Sequence, residues 1–216
     1  MHNELAREQM IEHQVRAWAV LDARVLAVFR SIPREHFTPA SHRHLAFVDT
    51  DVPLLHGQHM LKPSVEGRLL QALDLKGTEK ILQIGVGSGY ITACLAAMSA
   101  HVRALEIHPD IATLAASNLA SLAIRNAEVV TADATREIGN DRYDAIVITA
   151  SLPVYDERYE KQLAIGGRLF VVVGELPIMD ARTVKRVSET GFEMDSLFET
   201  VIDPLQNARR AEPFHF

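Results

Sequence analysis

The run Ile81-Leu82-Gln83-Ile84-Gly85-Val86-Gly87-Ser88-Gly89-Tyr90 decides the fold. A short strand, Ile81 to Ile84, leads into three glycines at alternate positions, and a helical pattern continues from Tyr90 to Met98. Without Cβ atoms the loop can turn sharply and let a ligand lie against its backbone. The helix that follows presents free N–H groups at its start. Alone, such a loop is also the mark of an ordinary tight strand–helix turn, so the reading rests on what surrounds it.

Downstream, short apolar runs alternate with helices. Strands are predicted at Val102 to Leu105, Glu128 to Thr131, Ala145 to Thr149 and Arg168 to Val173, with helices at Ile111 to Leu122 and Arg158 to Leu163 and a turn at Gly166-Gly167. Arg182 to Val187 and Phe192 to Ile202, joined at Gly191, read as an antiparallel hairpin at the sheet edge. The expected fold is α/β: a Rossmann-like doubly wound sheet of about seven strands, mostly parallel, with an antiparallel C-terminal hairpin and N-terminal helices.

Upstream, Leu5, Ile11, Val15 and Trp18 follow a helical spacing. Asp22 is placed to cap a second helix carrying Val25, Leu26, Phe29 and Ile32 on one face, ended by Pro33. Residues 34–63 lack a long period and read as a lid or connection with short strands. A third helix follows Pro63, with Val65, Leu69, Leu70 and Leu73 apolar and Gly77 as its stop. We therefore read residues 1–216 as one domain: an extension over 1–78, a core over 79–205 and a tail over 206–216.

Composition narrows the function. Hydrophobic residues make up 48% of the chain, enough for a sizeable core, and the net charge of −6 disfavours a phosphate backbone, so no nucleic-acid partner is expected. The single cysteine, Cys94, excludes an internal disulfide and reads as a small buried hydrophobe. The polar start, Met1 to Met10, does not resemble a signal peptide or membrane span, so a cytoplasmic protein without a membrane partner is expected. His42, His44, His56 and His59 cluster in one segment without metal-ligand spacing, so they read as surface and hydrogen-bonding histidines and no metal is expected. Gly87-Ser88-Gly89 is not a nucleophile elbow.

Acidic residues follow the next two strands. Glu106 ends one and is positioned to accept ribose hydroxyl protons, and Asp133 follows the other, on the side where a base would lie. Ligands of open parallel sheets bind outside the carboxyl ends of the strands. The dinucleotide fingerprint needs a glycine where Tyr90 stands, and no phosphate-cradling Lys-Ser or Lys-Thr follows. The alternating Gly85, Gly87, Gly89 form is typical of enzymes that use S-adenosyl-L-methionine (AdoMet), which carries no phosphate.

Several segments together resemble the protein-L-isoaspartate O-methyltransferases. They include Asp22-Ala23-Arg24-Val25-Leu26, Ile32-Pro33-Arg34-Glu35-His36-Phe37, Leu55-His56-Gly57-Gln58, the glycine loop, Tyr143 to Ala150, Gly166-Gly167-Arg168-Leu169, Val173-Gly174 and Pro204-Leu205. The resemblance covers nearly the whole chain. It implies AdoMet as cofactor, held by Gly85, Gly87, Ser88 and Gly89 along its methionine and ribose, by Glu106 at the ribose, by Asp133 and Ala134 at the adenine, and by Met60. It also implies methylation of an isoaspartyl carboxylate in a damaged protein or peptide.

The chain departs from that pattern mainly at the acceptor side. Where the family has Thr-Ile-Ser before a residue and a proline, this chain has His59-Met60-Leu61-Lys62-Pro63, so Leu61 replaces a hydroxyl. Gln83 stands where the family has an acid, alanines flank Asp133 in place of glycines, and Asp203 replaces valine, a charge expected to repel a carboxylate. Leu61, Lys62 and Asp203 are thus the acceptor-side candidates. These departures keep two other readings open: the same donor with a different, unidentified small acceptor, or a non-catalytic AdoMet-binding protein. A monomer or homodimer fits each of them. Phe214 and Phe216 at the tail end are expected to dock on an apolar surface or to lie free.

Overall fold

The computed structural model describes residues 2–210. The expected docking of Phe214 and Phe216 therefore lies outside the described residues. The N-terminal extension begins with α1 (His2–Met10), continued by a π-helical turn at Ile11–Val15 and a 3-10 turn at Arg16–Trp18. Ile11 and Val15 are buried, whereas Trp18 stays partly exposed and meets Phe198 edge-on at 5.9 Å. Helix α2 (Ala23–Ser31) starts at the Asp22 cap, whose carboxylate accepts the Arg24 N–H, and buries Val25, Leu26 and Phe29. A single turn, α3 (Arg34–Phe37), follows.

The connecting segment carries a 3-10 turn (Ala40–Leu45) and the small antiparallel pair β1 (Val52–Pro53) and β2 (His59–Met60). Helix α4 (Pro63–Leu73) does not run to Gly77. Asp74 ends it by taking the left-handed conformation at φ 44°, a task that small polar residues manage and that the sequence pattern assigned to the nearest glycine.

Seven strands form the main sheet: β3 (Lys80–Ile84), β4 (His101–Glu106), β5 (Ala127–Thr131), β6 (Tyr143–Leu152), β7 (Leu163–Glu175), β8 (Ile178–Arg186) and β9 (Phe192–Thr200). Their order is β5-β4-β3-β6-β7-β8-β9. The first five in this order pair in parallel, and β8 and β9 add as antiparallel neighbours. Helices α5 (Tyr90–Met98) and α6 (Pro109–Ser121) are the crossovers after β3 and β4. Order reverses at β3, between β4 and β6, which places the glycine loop at the switch point of the sheet.

Two expectations shift here. The helix predicted over Arg158 to Leu163 is one short turn, α7 (Glu157–Glu160), because Leu163 is already drawn into β7. Gly166-Gly167 is not a turn between elements but a bulge inside β7: Tyr143 pairs with Leu163 while Ala145 pairs with Arg168. A Cβ on Gly167 would sit about 3 Å from three carbonyl oxygens, which accounts for the glycine. No helix among the described residues is long and apolar enough to cross a membrane.

Candidate active site

One cavity of about 310 Å³ opens at the carboxyl ends of β3, β4, β5 and β6. Its floor is the glycine loop. Gly85 takes φ 81°, and an added Cβ would lie 2.6 Å from the Thr149 Oγ1, which itself donates to the Gly85 carbonyl at 2.6 Å. Gly89 takes φ 89° and begins α5.

Three adjacent strands each contribute a polar side chain to this cavity. On β3, Gln83 is fully buried; its Nε2 donates to the Gly85 carbonyl at 2.8 Å, and its Oε1 has no hydrogen-bond partner. A buried acceptor left unpaired is costly unless a donor arrives. At the end of β4, Glu106 is 5% exposed. One carboxylate oxygen accepts the N–H groups of Val86 (2.9 Å) and Gly87 (3.2 Å), and the other accepts that of His108 at 3.1 Å. Glu106 thus shapes the glycine loop besides facing the cavity. After β5, Asp133 accepts the Thr135 hydroxyl (2.6 Å) and N–H (2.9 Å) and the Asn207 amide (2.9 Å). Burial raises its carboxyl, but the Thr135 and Asn207 hydrogen bonds outweigh this and hold it below the usual carboxylate range. Neither Ala132 nor Ala134 has a positive φ, so the alanines are accommodated without strain.

The connecting segment forms the opposite wall. Met60 and Leu61 are buried there and line the cavity. The Leu61 carbonyl accepts the Arg34 Nη2 at 2.7 Å. Arg34 is itself sealed from water, bonded to the Ala46 carbonyl at 2.8 Å and to Glu66 at 3.0 Å. The Pro33-Arg34-Glu35 run therefore acts as an anchor that fixes this wall.

At the mouth, His59 Nδ1 lies 2.8 Å from the Asp203 carboxylate. Beside them Asp51 lies 3.7 Å from Lys62 Nζ. Burial pushes the Asp51 carboxyl above its usual range, against the pull of Lys62 and His59. The chain after β9 crosses the cavity: the Ser151 N–H donates to the Asp203 carbonyl and the Leu205 N–H to the Ser151 carbonyl, both at 2.8 Å, Gln206 bonds His108 at 2.8 Å, and Asn207 reaches Asp133.

Of the residues singled out in the sequence, Met60, Leu61, Gly85, Gly87, Ser88, Glu106, Asp133, Ala134 and Asp203 meet around this cavity. Gly89 and Lys62 do not line it; Gly89 lies at the start of α5, against Ala115, and Lys62 pairs with Asp51. His59, Asp51, Thr149 and Gln206 were not singled out. His59 was read only as one of several surface histidines, and its partner is 144 residues away, beyond any spacing argument.

Comparison with known proteins agrees with this architecture. Residues 5–209 match the family model for protein-L-isoaspartate(D-aspartate) O-methyltransferase. A protein-L-isoaspartate O-methyltransferase of Rhodopseudomonas palustris is 41% identical over 169 residues, 78% of this chain and 69% of that protein. The protein of that name from Methanoculleus marisnigri is 39% identical over 83% of each chain. Among solved structures, a Plasmodium falciparum chain assigned to the same activity, in complex with S-adenosyl-L-homocysteine, superposes with a TM-score of 0.79 at 19% identity, covering 94% of this chain and 98% of that one. At that identity it speaks for the fold. With the match running from Leu5 into the segment that closes the cavity, the chain belongs to the protein-L-isoaspartate(D-aspartate) O-methyltransferase family.

Proposed function

We propose that the chain transfers the methyl group of AdoMet to the free carboxylate of isoaspartyl residues in damaged proteins or peptides. The observation that carries this reading is the row of Gln83, Glu106 and Asp133 on three adjacent strands around the glycine loop, in a chain matched to the family almost end to end. Gln83 Oε1, buried and without a partner, suits the AdoMet ammonium. Glu106 suits the ribose hydroxyls, and Asp133 with Ala134 the adenine. AdoMet supplies an electrophilic methyl on a positively charged sulfur.

The protein's own task is positioning. A carboxylate acceptor is ionised at neutral pH, since carboxylic acids ionise near about pH 4, so no base is needed. Holding two reactants in line supplies most of the rate. Leu61 and Met60 offer apolar surface that excludes water, and Arg34 keeps that wall in place. We place this activity in a core over residues 79–205 that works with the extension before it. A single free cysteine suits a reducing compartment such as the cytoplasm. The test is calorimetric titration with AdoMet, followed by methyl transfer to an isoaspartyl peptide and to its ordinary aspartyl counterpart. Binding with turnover of the isoaspartyl peptide alone is expected.

A further inference from the structure

Two polar side chains at the mouth of the cavity, His59 and Asp203, touch each other. His59 stands on β2 and Asp203 follows β9, yet Nδ1 and the carboxylate are 2.8 Å apart, and both residues line the cavity. A carboxylate only accepts hydrogen bonds, so Nδ1 carries the hydrogen, and in the neutral ring Nε2 then holds the lone pair. Nε2 has no hydrogen-bond partner among the described residues. A ring anchored at one nitrogen and open at the other is the arrangement of a general base.

A carboxylate acceptor has no use for such a base. Leu61, buried and without a hydroxyl, lines the cavity with Met60. The wall beside the pair is apolar: Leu176, Met179, Val201 and Ile202 line the same cavity, with Leu176 and Val201 exposed at its rim. We propose that this site also methylates a weakly acidic hydroxyl on an apolar body, a phenol, with His59 as the catalytic base and Asp203 as the positioning residue. The proposal rests on the function above for the methyl donor, and on nothing in it for the acceptor.

The step balances. The phenolic O–H bond breaks and its proton passes to His59 Nε2. An oxygen lone pair forms the new O–CH3 bond as the S–CH3 bond of AdoMet breaks. That bonding pair stays on sulfur, which becomes a neutral thioether. The imidazolium is held by Asp203 and returns its proton to water, which reaches the partly exposed ring. Asp51, just before β1, also interacts electrostatically with His59 and Asp203, and is itself flanked by Asp49 and by Lys62 from the segment after β2.

Two measurements test this. The first is nitrogen NMR of the histidine rings in the protein without AdoMet, with His59→Gln assigning the signal. The Nδ1–H form is expected for His59, and it should be lost in Asp203→Asn; an Nε2–H ring in the unchanged protein overturns the pair. The second is turnover of p-cresol and of 4-nitrophenol, which ionises near neutral pH and needs the base less. Base catalysis contributes about 10²–10⁴-fold. His59→Gln should therefore lower p-cresol turnover at least about a hundredfold and 4-nitrophenol turnover far less. Any rise of p-cresol turnover with pH that depends on His59 should disappear with it. Asp203→Asn, which keeps the ring in place but turns it to the Nε2–H form, should lower p-cresol turnover about as far as His59→Gln does. AdoMet binding without turnover of either phenol overturns the proposal whatever happens with the isoaspartyl peptide. An equal loss on both phenols overturns the base role. Phenol turnover without isoaspartyl turnover supports it and contradicts only the isoaspartyl reading.

Discussion

Arg34 and Glu66 form an ion pair at 3.0 Å with side chains 0% and 1% exposed, and the same guanidinium holds the carbonyl of Leu61 at 2.7 Å. The pair links the extension to the wall of the candidate active site. Burial raises the Glu66 carboxyl, and Arg34 pulls it back.

Removing one member strands the other. Glu66→Ala leaves a buried guanidinium without its countercharge, a loss of about 3–5 kcal/mol. The urea midpoint should drop accordingly. A change below about 1 kcal/mol would show that water or another group satisfies Arg34.

Glu106→Ala should weaken AdoMet binding at least about tenfold, because hydrogen bonds to a charged group are worth about 1.5–3 kcal/mol. The structure adds a second consequence. The backbone N–H groups of Val86, Gly87 and His108 lose their acceptor, so stability should fall as well. Glu106→Gln, which keeps an acceptor oxygen, separates the two effects. Unchanged affinity by calorimetry in both variants would mean that the ribose lies elsewhere.

Leu61→Ser restores a hydroxyl beside the acceptor and should raise isoaspartyl turnover by about tenfold, the value of one hydrogen bond to a carboxylate. It also removes buried apolar volume, at a cost of about 2–3 kcal/mol in stability. Asp203 keeps its negative charge beside a neutral His59, so adding Asp203→Val should raise isoaspartyl turnover beyond Leu61→Ser alone. No gain in the single or the double variant, with AdoMet still bound, would show that Leu61 does not limit this reaction.

Asp133 gives a pH prediction. Its folded carboxyl is held below the ordinary value by Thr135 and Asn207, against burial. Its share of stability is therefore fully present above about pH 4 and is lost as pH falls through the lowered folded value. Urea midpoints measured below pH 4 should fall less steeply in Asp133→Asn than in the unchanged protein. Equal slopes would remove Asp133 from the acid transition.

The strand, glycine loop and helix over Ile81 to Met98 were readable because local pattern and tertiary role coincide there: a buried strand, a backbone needing positive φ, then an apolar helix. The stop of α4 was not, because Asp74 can adopt the left-handed form that the pattern reserved for Gly77. Gly166-Gly167 looked like a turn, yet β7 passes through them as a bulge, a choice made by its pairing with β6. At the site, Glu106 and Asp133 could be located from strand ends alone. His59 could not, since only the return of the chain after β9 brings Asp203 to it. Arg34 was visible as a motif but not as an anchor, because Glu66, Ala46 and Leu61 meet it only in the folded chain.

The most direct test of the central claim is mass spectrometry of an isoaspartyl peptide incubated with the protein and AdoMet, with the aspartyl peptide alongside. The account predicts one added methyl group on the isoaspartyl peptide, none on its counterpart, and less product from Glu106→Ala at limiting AdoMet. AdoMet bound at the glycine loop with neither peptide methylated would contradict it.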